Sequence, residues 1–306
     1  MPGKRPNIVM MVNDHEAYYR HGWDGGTRPR RPHLDRLSAQ GVGFDRAYSA
    51  CPLCTPARRS MMTGLLPHNH GYLTLDQAEN GPIRENGNLF TQLLRAGYDM
   101  NYYGKWHAGP GTAKDYGCKG FSYPHFGNPY ITQEYKEYCQ KRGIREATFD
   151  VEHVFLEPVS PDNPSPGPGY QCRAPHFHPH VTGTMETETD GHESFFLANI
   201  ACERLEELAQ RREEGAAGTQ GSADQPFFLR VDFYGPHAPY LASPEFVDMY
   251  PPDSIQEYGN FQDDLSDKPA VYMKEWNHPF GTDHRLKTPS VFGWSDWQRI
   301  MRYVYA

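Results

Sequence analysis

Pro6-Asn-Ile-Val-Met-Met-Val12 runs directly into Asn13-Asp14-His15. An unbroken apolar run of this length has the pattern of a strand buried on both faces, as in a parallel sheet. The polar residues then fall at its carboxyl end, where open α/β sheets bind ligands. Asp14 is therefore a candidate ligand for a hard metal. The plainer reading of Asp14 is a turn-forming residue.

Working outward, Pro32–Gln40 closes on Gly41 and reads as a short helix with Leu34 and Leu37 inward, and Val42–Tyr48 reads as a second strand. Cys54 to Gly64 follows, reading C-T-P-A-R-R-S-M-M-T-G. Thr55 suits a helix cap, Pro56 suits the first turn, and Gly64 ends the helix. Cys54 is thus expected just before a helix N-terminus, where N–H groups and the helix dipole favour anions. With Arg58 four residues on, Cys54 is a candidate nucleophile in an anion site. A buried cysteine ahead of an ordinary surface helix is the alternative.

Leu89–Ala96 reads as a helix stopped by Gly97, and Tyr98–Tyr103 as a strand. Gly104-Lys105-Trp106-His107 lies at that strand's carboxyl end. If the chain stays extended, Lys105 and His107 share a face and can meet an anion and the group attacking it. A snorkelling lysine and a packed histidine are the plain alternative. Pro226–Phe233 is a further apolar strand, closed by Tyr234-Gly-Pro-His237-Ala-Pro-Tyr240. His237 is either functional or fixed between its prolines for packing.

The chain of 306 residues can bury a sizeable core, as one large α/β domain or two smaller ones. Its net charge of -8 argues against non-specific nucleic-acid binding, so an anionic substrate needs local positive charge. No run approaches a membrane span. A basic region followed by a long apolar stretch is missing at the N-terminus, so the expected location is the cytoplasm with reduced thiols. Six cysteines show no zinc-type pairing; Cys51 and Cys54 have redox-pair spacing but lack a thioredoxin-like pattern around them.

Elsewhere, Lys114–Phe126 reads as a loop, Thr132–Arg142 and Asp190–Arg212 as helices, and Ser243–Tyr250 as a short helix. Glu157–Gly183 is rich in Pro, Gly and His and reads as a long surface excursion. Its His176, His178 and His180 read as loop or pocket wall, because no acidic or cysteine partner is near for a metal. His68 and His70 have metal-like spacing but read as loop-packing residues. Asp263, Asp264, Trp276 and His278 are candidates for a specificity loop, and Trp294–Tyr305 begins a helix.

Four elements in order, the strand ending in Asp14, C-x-P-x-R, G-K-x-H and F-F-L…P-H-x-P, resemble those of type I sulfatases in the alkaline phosphatase superfamily. The resemblance covers essentially the whole chain. It implies a mixed, mostly parallel sheet flanked by helices, in one incomplete catalytic domain over 1–306 with an insertion at about residues 157–184. It implies oxidation of Cys54 to formylglycine by a formylglycine-generating or anaerobic maturation enzyme, and hydrolysis of a small-molecule or carbohydrate sulfate ester. Ca²⁺ or another divalent ion would be held partly by Asp14 and residue 54. Arg58 and Lys105 would stabilise the nucleophile and developing charge. His237 would protonate the leaving oxygen, and His107 would assist release of sulfate. His15 stands where the family has Asp, Gln or Asn, as a ligand or substrate contact. Phosphonate monoester or phosphodiester hydrolysis, or a non-catalytic binding role, are the rival readings. The family's later strand, ending in Asp followed by Asn or His, has no match here. Asp283-His284 lacks an apolar strand before it, and the expectation is a truncated chain that binds Ca²⁺ weakly and turns over little alone.

Overall fold

The computed structural model describes residues 5–17, 27–75, 81–84, 87–123, 129–154, 170–173, 181–216, 225–259, 261–270 and 293–306. In chain order these form β1 (Ile8–Val12), α1 (Pro32–Gln40), α2 (Cys54–Thr63), α3 (Pro67–His70), α4 (Leu89–Arg95), β2 (Asp99–Lys105), β3 (Lys119–Tyr123), α5 (Gln133–Arg142) and β4 (Thr148–Val154). There follow β5 (Tyr170–Arg173), β6 (Val181–Met185), α6 (Glu193–Ala216), β7 (Phe227–Asp232), β8 (Tyr240–Ala242), α7 (Pro244–Val247) and α8 (Trp294–Tyr305). They fall into two compact units. The first comprises Met1–His15, Phe44–Arg142 and Glu193–Gly235; the second comprises Glu16–Gly43, Gly143–His192 and Pro236–Ala306.

The first unit is built on a parallel sheet in the order β1-β7-β2-β3. All seven residues of β2 are buried, as its central position requires. The alternation of side chains divides its neighbours. Met100 and Tyr102 face Phe90 of α4, in a cluster with Trp106 and Phe228. Asn101, on the other face, receives the Arg204 guanidinium of α6. Helices α4 and α6 thus cover opposite faces of one sheet. Phe90 contacts the rings of Tyr102, Trp106, Tyr116 and Phe228. Burying one such side chain is worth about 1.5–3 kcal/mol. β1 departs from expectation. It is an edge strand among the described residues, with Val9 and Met11 about half exposed. An apolar run thus told strand from helix but not centre from edge.

In the second unit β4 runs antiparallel to β5 and to β6, and β6 runs parallel to β8. The amphipathic α8 buries Ile300, Met301, Tyr303 and Tyr305. Tyr303 packs with Ala242 and Val247, and Tyr305 with Tyr250 and Ile255.

Several expectations are corrected. Val42–Tyr48 forms no strand and is exposed, and α1 buries none of its residues, Leu34 and Leu37 included. Periodicity located an apolar face there but not a partner for it. The segment expected as a loop, Lys114–Phe126, contains β3, paired to β2. The expected excursion at about 157–184 contains β5 and most of β6, with Val181 and Thr182 buried. These strands are short, β3 and β6 contain glycine, and only pairing with β2 and β4 makes them strands. His176, His178, His180, Trp276, His278, Asp283 and His284 lie outside the described residues. Asp263 and Asp264 accept hydrogen bonds from the N–H groups of Leu265 and Ser266, a local turn geometry.

Candidate active site

The site lies in the first unit, where β1, β2 and β7 end and α2 begins. Helix α2 starts two residues earlier than a Thr55 cap implies. Leu53 is its extended N-cap, Cys54 its first residue, and Thr55 is not the cap. The Thr55 hydroxyl is buried without a hydrogen-bond partner. Gly64 ends the helix in the left-handed conformation, as expected.

Asp14 meets α2 from the end of β1. Its N–H donates to the Gly235 carbonyl at 3.1 Å, and the Phe233 N–H donates to the Val12 carbonyl at 2.8 Å. These bonds extend the β1–β7 pairing by two residues and fix where the carboxylate stands. The Cys54 thiol donates to Asp14 Oδ1 at 3.4 Å, and Arg58 Nη2 donates to Asp14 Oδ2 at 3.2 Å. The Lys105 ammonium forms an ion pair with the same oxygen. Lys105 Nζ also lies 3.9 Å from Cys54 Sγ. Lys105 is 1 % exposed, which removes the snorkelling alternative. Four sequence candidates, Asp14, Cys54, Arg58 and Lys105, are thereby brought together.

Burial pushes the Cys54 thiol above its ordinary pKa, against the pull of Lys105, and Asp14 adds to the rise. Burial thus favours the thiol over the thiolate at Cys54. Burial works against the Arg58 charge, but Asp232, Tyr102 and Asp14 outweigh it and hold the guanidinium protonated.

Behind Arg58 stands a buried group that the sequence reading missed. Asp232, the last residue of β7, takes Arg58 Nη1 at 2.6 Å and Arg230 Nη2 at 2.7 Å on Oδ2, and Arg230 Nε at 2.6 Å on Oδ1. The Tyr102 hydroxyl lies 2.9 Å from Asp232 Oδ2 and 2.6 Å from the Lys105 carbonyl, sharing one proton between them. Gly104 makes this approach possible. Its φ is +112°, and a Cβ there would fall 2.0 Å from the Asp232 carbonyl oxygen. The visible clue was R-V-D inside an otherwise apolar strand, two charges on one face.

Glu193, the first residue of α6, is also buried, and its Oε2 has no hydrogen-bond partner. Burial pushes its carboxyl up to about 8, against the opposing pull of Lys105, so it is neutral at pH 7. His107 is buried, but its φ of +40° shows that the chain does not stay extended past Lys105. The shared face expected of Lys105 and His107 rested on that extension. His15 follows Asp14 in the left-handed region with φ of +61°. His237 belongs to the second unit, where its Nδ1 lies 2.7 Å from the Ala238 carbonyl. His70 contacts Ser60 through Nε2 at 3.0 Å, tying α3 to α2. Cys51 and Cys54 are both free.

A family profile for sulfatases matches residues 6–288. The chain belongs to the sulfatase family. It is 27% identical over 297 residues to the uncharacterized sulfatase YidJ of Escherichia coli (strain K12), covering 96% of this chain and 51% of that one. Over 114 residues, 34% of this chain and 22% of the relative, it is 38% identical to N-acetylgalactosamine-6-sulfatase of Mus musculus. The phosphonate monoester hydrolase of Agrobacterium radiobacter has the same fold, with a TM-score of 0.59 at 18% identity over 98% of this chain and 56% of that one. This member of the family is thus an α/β protein with an alkaline-phosphatase-like fold, a mostly parallel sheet flanked by helices. It spans about half the length of the relatives that match it throughout. No helix among its described residues is long and apolar enough to cross a membrane.

Sulfatases generally use a divalent metal, and the described residues do not fit calcium by themselves. They contain no group of three or more His, Cys, Asp or Glu suited to an ion. Asp14 is engaged by Lys105 and Arg58, and Asp232 is enclosed by Arg58, Arg230 and Tyr102. Calcium takes six to eight oxygens.

Proposed function

We propose that this chain hydrolyses sulfate esters, with formylglycine derived from Cys54 as its nucleophile. The observation that carries the reading is the convergence of Asp14, Cys54, Arg58 and Lys105 at the carboxyl end of the sheet. Family membership supports it.

Formylglycine, once installed, supplies a hydrated aldehyde whose hydroxyl attacks sulfur. The chain's own residues supply the rest. Lys105 and Arg58 bind the sulfate oxygens and stabilise the charge that develops on them. Asp14 orients both cations and accepts the hydrogen bond of the residue-54 side chain, as it does now from the thiol. His237 protonates the leaving oxygen and His107 takes up the proton freed when sulfate departs, roles that rest on the family resemblance. Calcium carries no step here, because the described donors do not make a site for it. The substrate class is a carbohydrate or small-molecule sulfate ester, a reading supported by the N-acetylgalactosamine-6-sulfatase relative. The maturation enzyme is the required partner.

The test is co-expression with a formylglycine-generating or anaerobic maturation enzyme. The Cys54 peptide then becomes about 18 Da lighter, by exchange of sulfur for oxygen and loss of two hydrogens. The matured chain turns over aryl sulfates in preference to aryl phosphonates. A wholly unmodified peptide from a competent host, or a preference for phosphonates, sinks the proposal.

A further inference from the structure

Arg58 can serve an anion only if its charge is held in place without being cancelled. Asp232 holds it, with a 2.6 Å ion pair to Nη1, and Lys105 adds its carbonyl at 2.8 Å. A carboxylate paired to Arg58 alone would fix the guanidinium and neutralise it together. Arg230 alters this. It grips both oxygens of the same carboxylate, at 2.6 and 2.7 Å, and lies 5.7 Å from the centre of the Tyr102 ring. Arg230 and Asp232 both show 0 % exposure.

Packing does not explain an arginine at this position. Its Nη1 is buried without a partner, an uncompensated donor. A buried ion pair is also no better for stability, in general, than apolar side chains of the same volume. The charge does explain it. Among the described residues, ion pairs link three cations, Arg58, Lys105 and Arg230, to two carboxylates, Asp14 and Asp232. Glu193, neutral at pH 7, does not alter the balance. One positive charge remains for an anion. Without Arg230 the balance is zero.

We infer that Arg230 is a positioning residue: it absorbs the charge of Asp232, so that Asp232 can anchor Arg58 while the site keeps one net positive charge for the sulfate group. This rests on the reading of the site as a sulfate-ester site. Its test uses inorganic sulfate and the full chain with Cys54 unmodified, so neither maturation nor turnover enters.

Sulfate affinity is measured by calorimetry for the wild type, Arg230→Lys, Arg230→Met and the double variant Arg230→Met with Asp232→Asn. Circular dichroism checks that each one folds. Arg230→Met leaves no net charge and weakens sulfate binding about tenfold or more, the size expected for one charge at short range in a partly buried site. Arg230→Lys keeps the charge and binds within about threefold of wild type. The double variant removes both charges, restores the single surplus, and returns to within about threefold as well. A purely structural role for Arg230 predicts the reverse order, with the double variant no better than the single. If Arg230→Met does not fold, the double variant decides alone, and a tenfold loss in it overturns the inference. Unchanged affinity in a folded Arg230→Met overturns it too. Wild type that binds no sulfate at all overturns the anion-site reading itself, and this inference with it.

Discussion

The two ends of strand β2 carry charge clusters made from the same residue types. At the amino end, Asp99 meets Arg204 at 2.9 Å, Lys119 at 2.7 Å and Arg211 at 3.7 Å. Lys119 and Arg211 are 60% and 58% exposed, and Arg204 also reaches the exposed Glu207. Solvent screens these charges, and each exposed pair is worth about 0–1 kcal/mol. At the carboxyl end, Asp14, Arg58, Lys105, Arg230 and Asp232 are all at most 6 % exposed. There water cannot compensate a surplus, and the surplus is positive. One cluster fastens α6 and β3 to the sheet, while the other, in the proposed reading, holds a charge for an anion. What separates them is burial and balance, not residue type.

Removal of each cluster's carboxylate should separate the two ends of β2 most. Asp232→Ala leaves Arg58 and Arg230 facing each other in the core, and should cost about 3–5 kcal/mol of stability, read from the urea midpoint. Asp99→Ala leaves Arg204 bonded to Asn101 and Glu207, and should cost only about 1–2 kcal/mol. Equal losses would mean that the amino-end cluster is as sealed as the other. Next is Lys105→Ala. In the matured chain it should lower turnover of every aryl sulfate by roughly a hundred- to a thousandfold, the effect of losing one preorganised charge partner. Unchanged turnover would remove Lys105 from the anion site.

A smaller effect concerns Glu193, whose neutrality keeps the carboxyl end positive. Its folded-state pKa of about 8 lies above the ordinary 4.5, so the unfolded chain loses this proton first as pH rises. Its effect on stability is absent below about pH 4.5. It grows as a destabilisation between about 4.5 and 8 and is constant above, reaching about 3 kcal/mol at pH 7. Glu193→Gln should therefore gain on wild type by about 1.4 kcal/mol per pH unit between pH 5 and 8. A gap independent of pH in denaturant titrations would show that Glu193 is already ionised, and the charge balance at Arg58 would need recounting.

Local patterns were a good guide where one residue's chemistry decides local geometry. Gly64 and Gly97 stop helices because they accept positive φ, with values of +68° and +80°. The amphipathic period of Trp294–Tyr305 describes a helix with one buried face, and α8 is that helix. The motif residues Asp14, Cys54 and Lys105 were visible because each lies where a strand ends or a helix starts, and Arg58 because it follows Cys54 by one helical turn. Patterns failed where a partner decides. Leu34 and Leu37 describe an apolar face on α1 that buries nothing. Val42–Tyr48 has strand-like residues and no strand. Lys119–Tyr123 looks like a loop until β2 pairs with it.

By its sequence alone this chain determined an α/β sheet protein of sulfatase type, with a cysteine, two cations and a carboxylate at strand and helix ends, because backbone preferences and motif spacing act over a few residues. Only the tertiary structure decided the electrostatics. Tyr102, Arg230 and Asp232 come from two strands more than a hundred residues apart, joined by the register that sets Tyr102 opposite Arg230 and Gly104 opposite Asp232. Burial and net charge at a point are sums over neighbours in space, and those neighbours exist only once the strands have paired.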